Sequence, residues 1–99
     1  MAYRAPTTEI KFALMQEAGF QRLIDSGKFE DLSDDLLDAI LDEAAKLAND
    51  VVAPASWDGD QKGCQLTDDG VRVPESFKQA YTKYVEGGWP TLAAPSAYG

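Results

Sequence analysis

The feature that most constrains the fold is an apolar stripe in the middle of the chain. Its members recur at three- and four-residue spacing, and they are Leu37, Ile40, Leu41, Ala44, Leu47, Ala48 and Val51. Side chains at this spacing share one face of an α-helix. Ser33 suits the N-cap, and Asp34 and Asp35 lie where the helix dipole favours negative charge. The sequence predicts a long helix that starts after Ser33 and ends at Pro54, because the residue before a proline is pushed out of the helical region.

Shorter helical patterns lie on both sides of this stripe. They cover Thr8–Ala18, which Gly19 stops, Phe20–Asp25, which Ser26-Gly27 ends, and Phe77–Val85, which follows Pro74 and closes at Gly87-Gly88. Glycine ends helices because it adopts the left-handed conformation without steric cost. The first two segments are too short to persist alone, so they must pack on other elements.

A hairpin is the only strand signal. Residues 55–64 are polar and contain glycine, which predicts a loop, and Cys64–Val73 alternates around an Asp69-Gly70 turn. At 99 residues the chain is long enough for one small domain with a single core. We therefore expect an all-α domain of about four helices with a short β-hairpin, covering residues 1–99.

The composition argues against independent catalysis. The chain has no histidine, which rules out Ser-His-Asp and Cys-His arrangements and imidazole ligands for zinc. The single cysteine, Cys64, supplies at most one thiolate, and we interpret it as a small buried or half-exposed side chain rather than a reactive one. No residue is assigned a catalytic, cofactor-binding or metal-binding role.

Acidic residues dominate the charge. The net charge is −8, which disfavours nucleic acids and anionic membrane surfaces as partners. Glu30–Asp50 holds eight acids against one base, Lys46. This stretch fits a solvated helix face, and alternatively a docking face for a basic partner.

One motif is compared with a calcium loop. Asp58, Asp60, Gly63 and Asp69 match loop positions 1, 3, 6 and 12, but Lys62 occupies position 5, where an oxygen ligand is needed. A hairpin rather than a helix is also expected to follow. A solvated turn is the simpler interpretation of this segment.

The aromatic residues near the end of the chain divide into two groups. Tyr81 and Tyr84 follow the last helical stripe and are expected to pack in the core, whereas Trp89 and Tyr98 lie in an uncharged tail. Such a tail should be covered by more protein or by a partner.

Gly87-Gly88 follows a helix, so it does not form a phosphate-binding loop. No stretch is apolar enough to span a membrane, and the N-terminal residues Met1–Pro6 lack the basic start and apolar stretch of a secretory signal, so we expect a cytoplasmic location.

Several short motifs occur in a fixed order along the chain. They are Tyr3-Arg4-Ala5-Pro6, Val51-Val52-Ala53-Pro54, Gly59-Asp60-x-x-Gly63-x-x-Leu66, Gly70–Pro74, Phe77-Lys78-x-Ala80-Tyr81, Gly87-Gly88-Trp89-x-x-Leu92 and Tyr98-Gly99. Together they resemble the N-terminal region of the long-form bacterial FAD-dependent acyl-CoA dehydrogenases. That subgroup includes fatty-acyl-CoA and methylmercaptopropionyl-CoA dehydrogenases.

The resemblance implies a role within a longer enzyme. In this family a glutamate removes the α-proton of an acyl-CoA, the β-hydride passes to FAD, and the electrons leave to an electron-transfer flavoprotein. The family's N-terminal domain is helical and supports the acyl pocket, and the remaining domains and neighbouring subunits of a homo-oligomer complete the site. No family catalytic or cofactor residue maps onto this sequence, so the chain alone is expected neither to bind FAD nor to turn over. The alternatives are a free-standing acidic interaction module and a calcium-binding protein.

Overall fold

The structure is a computed structural model that describes residues 2–98; Gly99, the end of the last motif, lies outside the described residues. Its elements are helices α1 (Thr7–Phe12), α2 (Phe20–Asp25), α3 (Asp34–Leu47), α4 (Ala53–Lys62) and α5 (Glu75–Glu86) and strands β1 (Gln65–Thr67) and β2 (Gly70–Arg72). Ala13–Glu17 and Ala48–Val52 are π-helical, and Trp89–Thr91 and Ser96–Tyr98 are 3₁₀ turns. The predicted helical fold with one hairpin is confirmed.

The chain forms two compact units, one up to Ala48 and one from Asn49. The first contains α1, α2 and α3, and the second contains α4, the hairpin and α5. Among the described helices, none combines the length and the apolar character that crossing a bilayer requires.

In the first unit, the predicted helix ends are confirmed. Gly19 and Gly27 adopt φ angles of 73° and 71°, the left-handed region that favours glycine. The Ser33 hydroxyl accepts a hydrogen bond from the Leu36 backbone N–H at 3.0 Å and so caps α3. Leu37, one turn into α3, is buried, while the rest of the stripe is half-buried.

The prediction that Pro54 ends the helical region and that a loop follows is wrong. Residues Ala53–Lys62 form α4, with Pro54 in its first turn. A proline there lacks only an N–H that a helix start leaves unpaired. The turn before it, Ala48–Val52, is π-helical, a class of helix whose backbone bonds join residues five apart rather than four.

In the second unit, the hairpin is confirmed but its turn is shifted by one residue. Thr67 pairs with Gly70, so Asp68 and Asp69 occupy the turn, not Asp69 and Gly70. The Thr67 hydroxyl donates to the Gly70 carbonyl at 2.8 Å and accepts from the Asp69 N–H at 3.3 Å. This local side-chain pairing holds the turn one residue earlier than the Asp-Gly pattern indicates.

Helix α5 packs against α4 at a close approach of backbone and ring. A Cβ atom added to Gly59 would lie 2.6 Å from Cε1 of Phe77 and closer still to Cζ, so a larger residue at this position would require the ring to move. The end of α5 is confirmed at Gly87, and Gly88 follows with φ 78°.

Few apolar side chains are buried within this chain. Of the described residues, the hydrophobic ones with under a tenth of their surface exposed are Leu37 and Ala55. Large exposed side chains include Phe12, Trp57, Leu66, Val71, Tyr81 and Tyr98. The expected packing of Tyr81 and Tyr84 in the core is wrong, because their exposed fractions are 66% and 39%.

Candidate docking groove

The clearest side-chain constellation joins α1 to α3 in the first unit. The Lys11 ammonium lies 2.5 Å from Oδ1 of Asp38 and 3.2 Å from Oδ1 of Asp34. Asp34 and Asp38 are four residues apart, so they project from the same side of α3 on successive turns. One cation from α1 therefore bridges two acids of the acidic Glu30–Asp50 stretch.

This bridge raises the pKa of Lys11 above its ordinary value of 10.5. The largest cause is the hydrogen bond to Asp38, with smaller contributions from Asp34, and partial desolvation acts in the opposite direction. Lys11 is consequently a fixed positive charge at any physiological pH.

Beside this bridge lies an open groove of about 380 Å³. Its apolar lining comes from Phe12, Met15 and Leu41, and its polar lining from Thr7, Thr8, Lys11, Gln16, Asp38 and Asp42. The amphipathic pattern of α3 produces this arrangement, because Leu41 and Asp42 lie three and four residues after Asp38 and so adjoin it on the helix surface. An apolar floor with carboxylates at the edge suits an apolar side chain that is flanked by a cation.

Three carboxylates at the start of α3 form a compact cluster. Ligand oxygens of Asp34, Asp35 and Asp38 lie within 4.8 Å of one another. The Lys11 ammonium contacts two of them, so a side chain of this chain already supplies positive charge at the cluster. We assign no metal to it.

The candidate calcium ligands lie on different elements. Asp58 and Asp60 belong to α4, Gly63 follows that helix, and Asp69 lies in the hairpin turn. A helix projects residues 58 and 60 to different sides, so these carboxylates do not converge as they do in a calcium loop.

Asp58 instead links α4 to α5 within the second unit. The Ser76 hydroxyl donates to Oδ2 of Asp58 at 2.6 Å, and the Lys62 ammonium lies 2.9 Å from Oδ1. These two partners, the hydroxyl first, lower the pKa of Asp58 below its ordinary value of 3.8. The carboxylate is therefore charged at neutral pH and holds the first turn of α5.

The remaining candidate residues are spread over the surface. Cys64 is exposed, which corrects the expectation of a buried or half-exposed side chain. The rings of Tyr81 and Tyr84 lie 6.4 Å apart and are tilted by 38°. Tyr98 is 86% exposed, and Trp89 is half-buried. Glu30–Asp50 contributes Asp38, Leu41 and Asp42 to the groove.

Sequence reasoning missed the part that Lys11 plays. Its partner Asp38 lies 27 residues further along the chain, so no pattern among neighbouring residues links the two. The only available signal was a lysine in a short helix that must pack on another element, together with an acidic helix elsewhere in the chain. This indicates electrostatic attraction between the two helices but does not specify which side chains pair.

Three curated proteins are similar to this chain. They are a 3-methylmercaptopropionyl-CoA dehydrogenase from Ruegeria pomeroyi (30% identity over 100% of the chain), a butyryl-CoA dehydrogenase from Syntrophomonas wolfei (33% over 92%) and a broad-specificity linear acyl-CoA dehydrogenase from Mycobacterium tuberculosis (28% over 98%). No protein-family model matches the chain.

The three matches agree in extent as well as in kind. The chain spans only 16–17% of the length of these relatives, and each match covers at least 92% of the chain. All three relatives are named as dehydrogenases of acyl-CoA thioesters. The chain is therefore similar to acyl-CoA dehydrogenases over a stretch that corresponds to the N-terminal sixth of their length.

Proposed function

We propose that this chain is the N-terminal helical domain of an FAD-dependent acyl-CoA dehydrogenase. The whole enzyme would oxidise the bond between the α and β carbons of a fatty or related acyl-CoA. The observation that carries the proposal is a match over nearly the whole chain to three enzymes of this kind. The helical fold with one hairpin supports it, since the resemblance implies a helical N-terminal domain.

This domain would have a supporting role rather than a chemical one. FAD, when bound to the full enzyme, would accept the β-hydride while a carboxylate elsewhere in that enzyme takes the α-proton. The sequence contains no histidine, and we assign no catalytic or cofactor residue to positions 1–99. Its contribution would be to pack beside the acyl pocket and to present surfaces to other domains.

The partners of this domain would be the remaining domains of the same enzyme. Exposed apolar side chains such as Trp57, Leu66, Tyr81 and Leu92 support this, because surfaces of this kind are usually covered. The full enzyme would act in the cytoplasm as a homo-oligomer on an acyl-CoA, and it would transfer its electrons to an electron-transfer flavoprotein.

The first experiment is to determine the intact mass of the native polypeptide from its source cells. We expect a mass several times 10.8 kDa, a yellow flavin spectrum, and bleaching of that spectrum when butyryl-CoA or a longer acyl-CoA is added. The separately expressed 99-residue chain is the control, and it should show no flavin absorbance. A native mass of 10.8 kDa would contradict the proposal.

The groove supports a second candidate, an interaction module for a basic partner. The exposed carboxylate of Asp42 lies beside an apolar floor, which matches a helix that carries leucine and lysine. A synthetic amphipathic Leu/Lys peptide should then bind the chain, with an affinity that falls as salt rises. Asp42→Asn should weaken this binding more than Asp50→Asn, which changes an exposed acid outside the groove. Equal effects of the two variants would contradict docking at the groove.

A further inference from the structure

We draw no further inference here: the strongest candidate, the open groove between α1 and α3 lined by Phe12, Met15 and Leu41, belongs to the site already described, and nothing in the structure shows what covers it.

Discussion

At the scale of single residues, the contact between Gly59 and Phe77 sets how closely α4 and α5 approach. Alanine is normally a better helix residue than glycine by about 1 kcal/mol. Here its methyl group would overlap the Phe77 ring, with Cε1 only 2.6 Å away. Two opposing effects therefore act on one substitution, and we expect the steric conflict to be the larger.

We expect Gly59→Ala to lower the free energy of unfolding by about 1 kcal/mol, because overpacking costs roughly 1–3 kcal/mol and the helix preference of alanine offsets about 1 kcal/mol of that cost. Urea denaturation followed by far-UV circular dichroism measures this change. Ser56→Ala, an exposed position in the same helix, is the matched control and should change the stability little.

The same substitution should reverse its sign when the ring is removed. Leucine at position 77 lacks the Cε and Cζ atoms that meet the added methyl group. Gly59→Ala introduced into a Phe77→Leu background should then stabilise the chain through its helix preference. A destabilisation of equal size in both backgrounds would show that the ring contact is not the cause.

The Lys11 bridge makes the free energy of unfolding depend on pH in the alkaline range. Its pKa is raised in the folded chain, so the contribution of the bridge is complete below the ordinary lysine pKa of 10.5 and is lost as pH rises through the folded value. The stability difference between the wild type and Lys11→Met should therefore shrink above about pH 10.5.

Unfolding curves recorded at neutral and at alkaline pH provide the measurement. Lys28→Met, which changes an exposed lysine after α2, is the control and should show no comparable loss at high pH. A wild-type advantage over Lys11→Met that stays constant throughout the alkaline range would refute the role of the ammonium.

At the scale of secondary structure elements, the start of α3 depends on one hydroxyl. Ser33 accepts the Leu36 N–H at 3.0 Å, and three residues separate the partners. Ser33→Ala should cost about 1 kcal/mol of unfolding free energy, the usual effect of losing such a cap. Thermal unfolding measures this cost, and Ser33→Asp should restore most of it. An unchanged midpoint in Ser33→Ala would show that the cap contributes nothing.

Local signals made most of the helices predictable from sequence. Ser33, Gly19 and Gly87 mark helix ends through interactions within a few residues, and the structure has helices ending or starting there. Pro54 was misleading because the bias of the preceding residue against the helical region is only a preference, and Ala53 is helical here with Pro54 in the first turn of α4.

Contacts between elements were not predictable in the same way. Lys11 meets Asp38 across 27 residues, and Ser76 meets Asp58 across 18. The sequence offers several lysines and many acids for such pairs, and only the packing of the helices selects among them. The groove depends on the same packing. The sequence therefore predicted that its acidic residues share one face of a helix, but not that they line a groove.

At the scale of the whole molecule, exposed apolar surface is the dominant property. Leu66 and Val71 are directly opposite each other on the hairpin, and their exposed fractions are 85% and 69%. Single exposed apolar residues are common on proteins, but contiguous ones promote association.

We therefore expect the isolated 99-residue chain to bind the dye ANS and to show a mass that rises with concentration in sedimentation experiments. Replacing both Leu66 and Val71 with threonine should reduce the two signals while the helical circular dichroism stays unchanged, since threonine suits strands. A strictly monomeric wild-type chain without ANS fluorescence would contradict this expectation.

The Ser76–Asp58 hydrogen bond also has a consequence for the order of folding. Helix α5 has no side-chain N-cap, and its first turn is held instead by a residue of α4. The Ser33 cap is local to α3 and can form early in folding, so Ser33→Ala should slow refolding. The Ser76–Asp58 bond forms only after α4 and α5 have met, so Ser76→Ala should mainly speed unfolding. During synthesis α3 can form from its own sequence as it emerges, and α5 finds its anchor already in place, because α4 precedes it along the chain.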